Sequence, residues 1–264
     1  MSIDRQPAVA GAFYPANPAI LSQQVDALLA GVATAPQAQT HPKALIVPHA
    51  GYRYSGPIAA SAYAQLAPIA ARIRRVVLLG PAHRLPFRGL AYPGAERLLT
   101  PLGAVDLDRE ALAGLADLLQ VQQLDAAFDD EHCLEVQLPF LQRLLTDFRL
   151  VPLVVGTVAP AAVAQVLERL WGGDETLIVI SSDLSHYLDY ETARRHDAAT
   201  TQAIERLDPA ALDHHAACGA TPLAGLLVAA RGHGMQVRAL DLRNSGDTAG
   251  SHDQVVGYGA YVFF

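Results

Sequence analysis

Two runs, "RVVLLG" at residues 75–80 and "TLIVIS" at 176–181, are apolar at consecutive rather than alternate positions. Successive side chains of a strand point to opposite faces, so a strand with no polar alternation has to be covered on both sides. Both runs therefore belong in the middle of a layered sheet. Similar short runs recur at 44–47, 150–155, 237–242 and 255–263, each long enough for a strand and too short for most helices. Between them lie segments of helical period at 17–29, 56–66, 108–119, 160–170, 191–207 and 221–230. The alternation predicts an α/β fold with a central, mainly parallel sheet flanked by helices.

We read the 264 residues as one domain, 1–264, because the only linker-like stretch, "GVATAPQAQTHP" at 31–42, lies too near the start to separate two full domains. The stretch 84–105, rich in Pro and Gly, predicts short antiparallel strands or an ordered loop that walls a cleft. A formal net charge of -7 and the absence of a long basic cluster exclude nucleic acid as the main partner. The most apolar segment, 150–167, approaches membrane-span length but is broken by Pro152, Gly156, Thr157 and Pro160, so no membrane span is expected. The first residues, "MSIDRQPAVAG", carry no apolar signal core, and Cys133 and Cys218 are accordingly read as free thiols in the cytoplasm.

In open α/β sheets, ligands bind beyond the carboxyl ends of the strands. After the strand ending at Val47 comes His49, after "VVLLG" comes "PAHR" with His83, and after "LIVIS" comes "SDLSH" with Asp183 and His186. Any one of these histidines could simply cap its strand, but three delivered to the same rim point to a site. Imidazoles gathered in a cleft suit a divalent transition metal, with a third ligand from elsewhere in the chain. Candidates for that ligand are Asp183, the acidic residues of "FDDEHCLEVQLPFL", and Cys218. Cys218 precedes a helix expected to start near Thr221 and Pro222, whose positive end would favour a thiolate.

In "DDEHCLEVQLPFL", Glu131 and Glu135 are one helical turn apart at the head of an amphipathic run. They fit a solvated, capped helix start as well as a pocket wall formed by Glu131 and His132. "SSDLSHY" holds the parts of a hydrolase triad but lacks the G-x-S-x-G elbow, so His186 is read as a general acid/base, with Asp183 orienting it or acting as a ligand. Of the two tyrosines after His49, Tyr54 is the better pocket candidate.

The motifs "AGAFYPA", "VPHAGYRYSG", "LLGPAHR", "EHCLEVQLPFL", "ISSDLSHY" and "CGATP", followed by a looser "GDTAGSHDQVVGYGAYVF", occur in the order seen in the Memo family, whose prokaryotic members are called AmmeMemoRadiSam system protein B. The chain resembles that family over nearly its whole length. The family is similar in fold to class III extradiol dioxygenases, non-haem Fe(II) enzymes that cleave catechol rings. The resemblance implies metal ligands at His49, His83 and Cys218 and an acid/base histidine at His186. The dioxygenases use a carboxylate where this chain offers Cys218, and a thiolate also suits copper or zinc.

Three functions follow as expectations. The first is a metal-dependent redox enzyme of dioxygenase type, Fe(II) favoured, acting on an unidentified small molecule. The second is a non-catalytic metal-holding protein that binds a peptide or the radical-SAM and AMMECR-type proteins of the family label. The third is a metallohydrolase with His186 or Glu131 as base. The oligomeric state stays open.

Overall fold

The computed structural model describes residues 4–32 and 41–264. Its strands, in chain order, are β1 (Asp4–Arg5), β2 (Ala44–Val47), β3 (Arg75–Pro81), β4 (Leu90–Tyr92), β5 (Arg97–Thr100), β6 (Gly103–Asp106), β7 (Val121–Gln123), β8 (Arg149–Val155), β9 (Thr176–Ser181), β10 (His186–Leu188), β11 (Val237–Asn244) and β12 (Val255–Phe263). The helices are α1 (Pro18–Ala30), α2 (Tyr52–Tyr63), α3 (Arg109–Ala113), α4 (Leu138–Leu144), α5 (Pro160–Leu170), α6 (Tyr190–Glu205) and α7 (Ala220–Gly232). Of the expected linker at 31–42, residues 33–40 lie outside the described residues.

The main sheet runs β10-β12-β2-β9-β3-β8-β4-β7, with β11 paired to β12. Its centre is parallel: β2 pairs with β9, β9 with β3 and β3 with β8. On either side of that centre the direction reverses, because β12 runs antiparallel to β2 and β11, and β4 antiparallel to β8. The sheet is thus mixed, and its exposed edge strand β7 pairs parallel to β4. Every residue of β2 and β9 is buried, as the unbroken apolar runs require. Helix α2 packs on β2, β11 and β12 and against α1 and α4, while α7 packs on β3, β9 and α5, and α6 on β11 and β12.

The segment after His83 forms β4 and the antiparallel pair β5 and β6, the latter in a separate three-stranded sheet with β1. Two expected helices differ in extent. The one expected at 108–119 ends at Ala113, before Gly114. The one expected from Gly56 starts four residues earlier, at Tyr52, and carries Pro57 inside it. Pro57 has no N–H to donate within the helix. The turn ahead of it is held from outside, where the Tyr52 N–H donates to the Phe13 carbonyl at 2.8 Å.

The acidic run also departs from expectation. Residues 131–134 are not helical, a 3₁₀ turn spans Glu135–Gln137, and α4 begins only at Leu138. Glu131 and Glu135 do not share a helix face, and both are buried rather than solvated. Glu135 accepts from the N–H groups of Ala8 (2.6 Å) and Val9 (3.0 Å) and from the Tyr14 hydroxyl (2.5 Å). A carboxylate that looked like a solvated helix start instead ties the N-terminal segment to the core.

Candidate metal centre

The parallel strands end side by side, and the residues just past them face one another. His49 lies two residues beyond β2 and His83 two beyond β3, and their ring centroids are 5.1 Å apart. Six of the residues selected from sequence line a single cavity of about 610 Å³: His49, Tyr54, His83, His132, Asp183 and His186. Phe13, Arg84 and Tyr258 also line it, and none of them stood out in the sequence. Cys218 lines a second cavity, of about 310 Å³, which shares His83 as a wall. Glu131 lies beneath His83, buried.

Each ring is oriented by its other edge. Glu131 Oε1 is 2.9 Å from His83 Nδ1, and Glu131 Oε2 accepts from the His83 backbone N–H at 2.7 Å. Oε1 also accepts from the backbone N–H groups of His132 and Cys133, at 3.0 and 3.1 Å. Burial alone would raise the Glu131 pKa, but the hydrogen bonds from His83 and the neighbouring N–H groups outweigh it and hold the carboxyl at about 2. An ionised carboxylate only accepts, so Nδ1 of His83 carries a proton, and in the neutral ring Nε2 is the edge that keeps the lone pair.

His49 Nδ1 meets Ser181 Oγ at 2.9 Å, and its Nε2 is 3.3 Å from Cys218 Sγ. The backbone of the same residue is held by Asp183, whose Oδ1 accepts from the His49 N–H at 2.7 Å. Burial, and then the neighbouring His83, push His49 down to about 3. Burial, and then His49, push His132 down to about 4. Burial raises Asp183 above the usual carboxylate range. Near neutral pH the rings of His49 and His132 are therefore uncharged bases, the form that binds metal.

His132 stacks on His83 at 4.9 Å and 18° and packs against Phe13 at 4.7 Å. The ligand atoms of His49, His83 and His132 all lie within 4.8 Å of one another, as do those of His83, Glu131 and Cys133. His132 Nδ1 is buried without a hydrogen-bond partner. A converging set of imidazoles that includes an orphaned buried nitrogen fits a bound metal ion. Cys218 belongs to neither group of three but touches His49.

The expectation that a helix end makes Cys218 a thiolate is corrected. Helix α7 does begin two residues later, at Ala220, but burial and then the Asp183 carboxylate push the thiol up to about 12. Only a partner charge such as a metal ion would displace that proton near pH 7. The backbone around Cys218 is tightly set. Gly219 N donates to Ser182 Oγ at 2.9 Å, and a Cβ on Gly219 would come within 2.7 Å of the Ser182 side chain.

His186 Nδ1 is 2.8 Å from the Leu184 carbonyl, which leaves its Nε2 as the basic edge. Asp183 is hydrogen-bonded to His49 rather than to His186 Nδ1. Ser181 and Ser182 are both engaged in buried hydrogen bonds, Ser185 Oγ is buried with no hydrogen-bond partner among the described residues, and His186 Nδ1 is taken by a backbone carbonyl, so "SSDLSHY" does not assemble a hydrolase triad. Sequence reading assigned no role to Ser181 as a support or to Gln137. A polar side chain closing the apolar run "TLIVIS", and an amide inside "EVQLPFL", were the signals available.

Among the described residues no helix is long and apolar enough to cross a membrane. The chain resembles a crystal structure of an uncharacterized protein from Escherichia coli K12, with a TM-score of 0.54 at 17% identity over 83% of this chain and 99% of that one, a likeness of fold alone. Curated relatives match along almost their whole length. A MEMO1 family protein of Aquifex aeolicus is 37% identical, covering 98% of both chains. One of Aeropyrum pernix is 39% identical, covering 97% of this chain and 98% of its own. The profile of the Memo-like protein family matches residues 5–262. With the motifs, the fold and these matches in agreement, the chain belongs to the Memo family.

Proposed function

We propose that this chain binds a metal ion through His49, His83 and Cys218 and uses it in redox chemistry of extradiol dioxygenase type on a substrate held in the 610 Å³ cavity. The observation that carries the reading is that His83, held at Nδ1 by Glu131, and His49, held at Nδ1 by Ser181, line the same cavity with ring centroids 5.1 Å apart, and that His49 Nε2 lies 3.3 Å from the Cys218 thiol. Fe(II) is the metal the family resemblance favours, and the thiol also admits copper or zinc. Such a metal, when bound, supplies open positions where a chelating substrate and an oxidant meet.

The chain's own residues account for the rest. Glu131 and Asp183 hold the two histidine-bearing turns in register. His186 offers its Nε2 to the cavity as the group that takes a proton from a substrate hydroxyl. Phe13, Tyr54 and Tyr258 give the cavity apolar, aromatic walls suited to a ring.

The test is anaerobic loading with Fe(II), metal analysis, and oxygen uptake with a panel of catechols. Stoichiometric iron lost in His49→Ala and His83→Ala, together with uptake on at least one catechol, is expected. Iron binding without uptake on any catechol would overturn the dioxygenase reading, and no metal binding would overturn the whole.

The three-imidazole group supports a second reading, a zinc centre of His49, His83 and His132 that activates water. Hydrolysis of generic esters or phosphoesters in proportion to bound zinc would favour it over redox chemistry.

A further inference from the structure

We propose that Ser181 is a positioning residue that fixes the tautomer of His49, holding the proton on Nδ1 and keeping Nε2 free for a metal ion. The inference rests on the metal-binding reading only for its consequence at Nε2, because the tautomer belongs to the protein alone.

The argument is one of hydrogen-bond capacity. A serine hydroxyl has one proton and two lone pairs. Ser181 Oγ has three neighbours: the Cys133 carbonyl at 2.6 Å, Gln137 Nε2 at 2.8 Å and His49 Nδ1 at 2.9 Å. Two of these have no choice of role. The Cys133 carbonyl can only accept, so it takes the single hydroxyl proton; two acceptor oxygens 2.6 Å apart with no proton between them would repel.

The orientation of the Gln137 amide is set in the same way. Its Nε2 lies 2.9 Å from the Pro48 carbonyl, another obligate acceptor, while its Oε1 receives the Tyr63 hydroxyl at 3.0 Å. Turning the amide over would set two acceptors against each other at Pro48. With one amide proton on Pro48, the other points at Ser181 and uses one of its lone pairs.

One lone pair of Ser181 then remains, and it faces His49 Nδ1. Only a protonated Nδ1 can use it. In the neutral ring the proton on Nδ1 leaves Nε2 with its lone pair, and this is the edge that lies 3.3 Å from Cys218 Sγ.

The whole chain of bonds is sealed from water: Ser181, Gln137 and Tyr63 are fully buried and His49 nearly so. No solvent molecule is free to exchange the roles, and reversing the tautomer would leave buried groups unsatisfied. Ser181 thus does for His49 what Glu131 does for His83, with a neutral group in place of a charged one. A buried carboxylate already sits under one ligand, and the hydroxyl gives the same orientation without a second charge.

The experiment is a two-bond ¹H–¹⁵N correlation spectrum of the metal-free full chain labelled at histidine, with His49 assigned by the cross-peaks missing in His49→Gln. A pyrrole-type Nδ1 and a pyridine-type Nε2 are expected in the wild type. In Ser181→Ala the pattern should average or reverse, and Co(II) affinity should fall on the order of 10–100-fold, the usual effect of losing a group that supports a metal ligand. Ser181→Thr, which keeps the hydroxyl, should restore both, and a dispersed amide spectrum guards against simple unfolding.

A wild-type His49 protonated at Nε2, or a Ser181→Ala protein with unchanged tautomer and unchanged Co(II) affinity, would overturn the proposal. A wild type with the expected tautomer that binds no Co(II) would support the assignment while overturning the metal-binding function.

Discussion

Glu131 and His83 are joined twice, once through the imidazole at 2.9 Å and once through the backbone N–H at 2.7 Å. A single carboxylate therefore fixes both the turn that carries the histidine and the direction in which its ring points. The same carboxylate accepts the N–H groups of His132 and Cys133.

Replacing Glu131 should separate these duties. Glu131→Gln, which keeps the size but loses the charge and half of the acceptors, is expected to weaken metal binding roughly 10–100-fold with the fold intact. Glu131→Ala should in addition lose at least about 3 kcal/mol, because it strands several buried N–H donors at once. Metal titration calorimetry and urea unfolding read the two effects independently, and a Glu131→Ala protein as stable as wild type would contradict the account.

Acid should destabilise the metal-free protein before ordinary carboxylates titrate. His49 and His132 are held at about 3 and 4, below their unfolded value of 6.5, so the unfolded chain takes up protons first as the pH falls. Their contribution is complete above about pH 6.5 and lost toward pH 3, and the loss from His49 reaches about 2 kcal/mol by pH 5. Glu131, held at about 2, adds a further loss below about pH 4.5. Asp183 and Asp197, both raised by burial, act in the opposite sense and offset part of it. Urea midpoints between pH 7.5 and 5 should fall, and they should fall less in His49→Gln.

Metal binding should release a proton if Cys218 is a ligand. The thiol stands at about 12 without metal, whereas His49 is already unprotonated near neutrality. Affinity should then rise about tenfold per pH unit between pH 6 and 8. Calorimetry in two buffers of different ionisation enthalpy should count about one proton for the wild type and none for Cys218→Ser. Equal counts would exclude the thiolate.

Gly80 is the position where β3 passes Cys133. A Cβ there would lie 2.6 Å from Cys133 Sγ and 2.9 Å from Leu134 Cδ2. Gly80→Ala should cost about 1–3 kcal/mol through overpacking. Adding Cys133→Ala should recover part of that, a coupling that thermal melts of the two single variants and the double variant would reveal.

Glu135 anchors the segment that carries Phe13 to the cavity. Glu135→Ala should leave the N–H groups of Ala8 and Val9 exchanging with solvent far faster while the central strands stay protected, as measured by hydrogen exchange. Uniform loss of protection across the sheet would instead mean that the carboxylate serves the whole fold.

Much of this was legible in one dimension. Consecutive apolar residues in β2, β3 and β9 identify central strands, because no one-sided burial can produce that pattern. The histidines after those strands were legible for the same reason: a strand end in an open sheet has one rim to open onto, and His49 and His83 meet there. The segment at 131–137 was not, since the i, i+4 spacing of Glu131 and Glu135 fits a solvated helix as well as two separate buried anchors. The roles of Ser181 and Gln137 were also hidden, because each depends on partners 44 or more residues away.

The sequence by itself determined that the chain builds a covered α/β sheet and sends histidines to one edge of it, since hydrophobic period and chain direction are local properties. Only the tertiary structure decided the protonation of those histidines and the role of the carboxylates. These depend on burial and on which donor or acceptor arrives from a distant element: Glu131 at His83, Ser181 at His49, and Asp183 beside both His49 and Cys218. Spacing along the chain encodes which groups reach the rim, whereas the chemistry of each group is set by neighbours that the fold alone brings into contact.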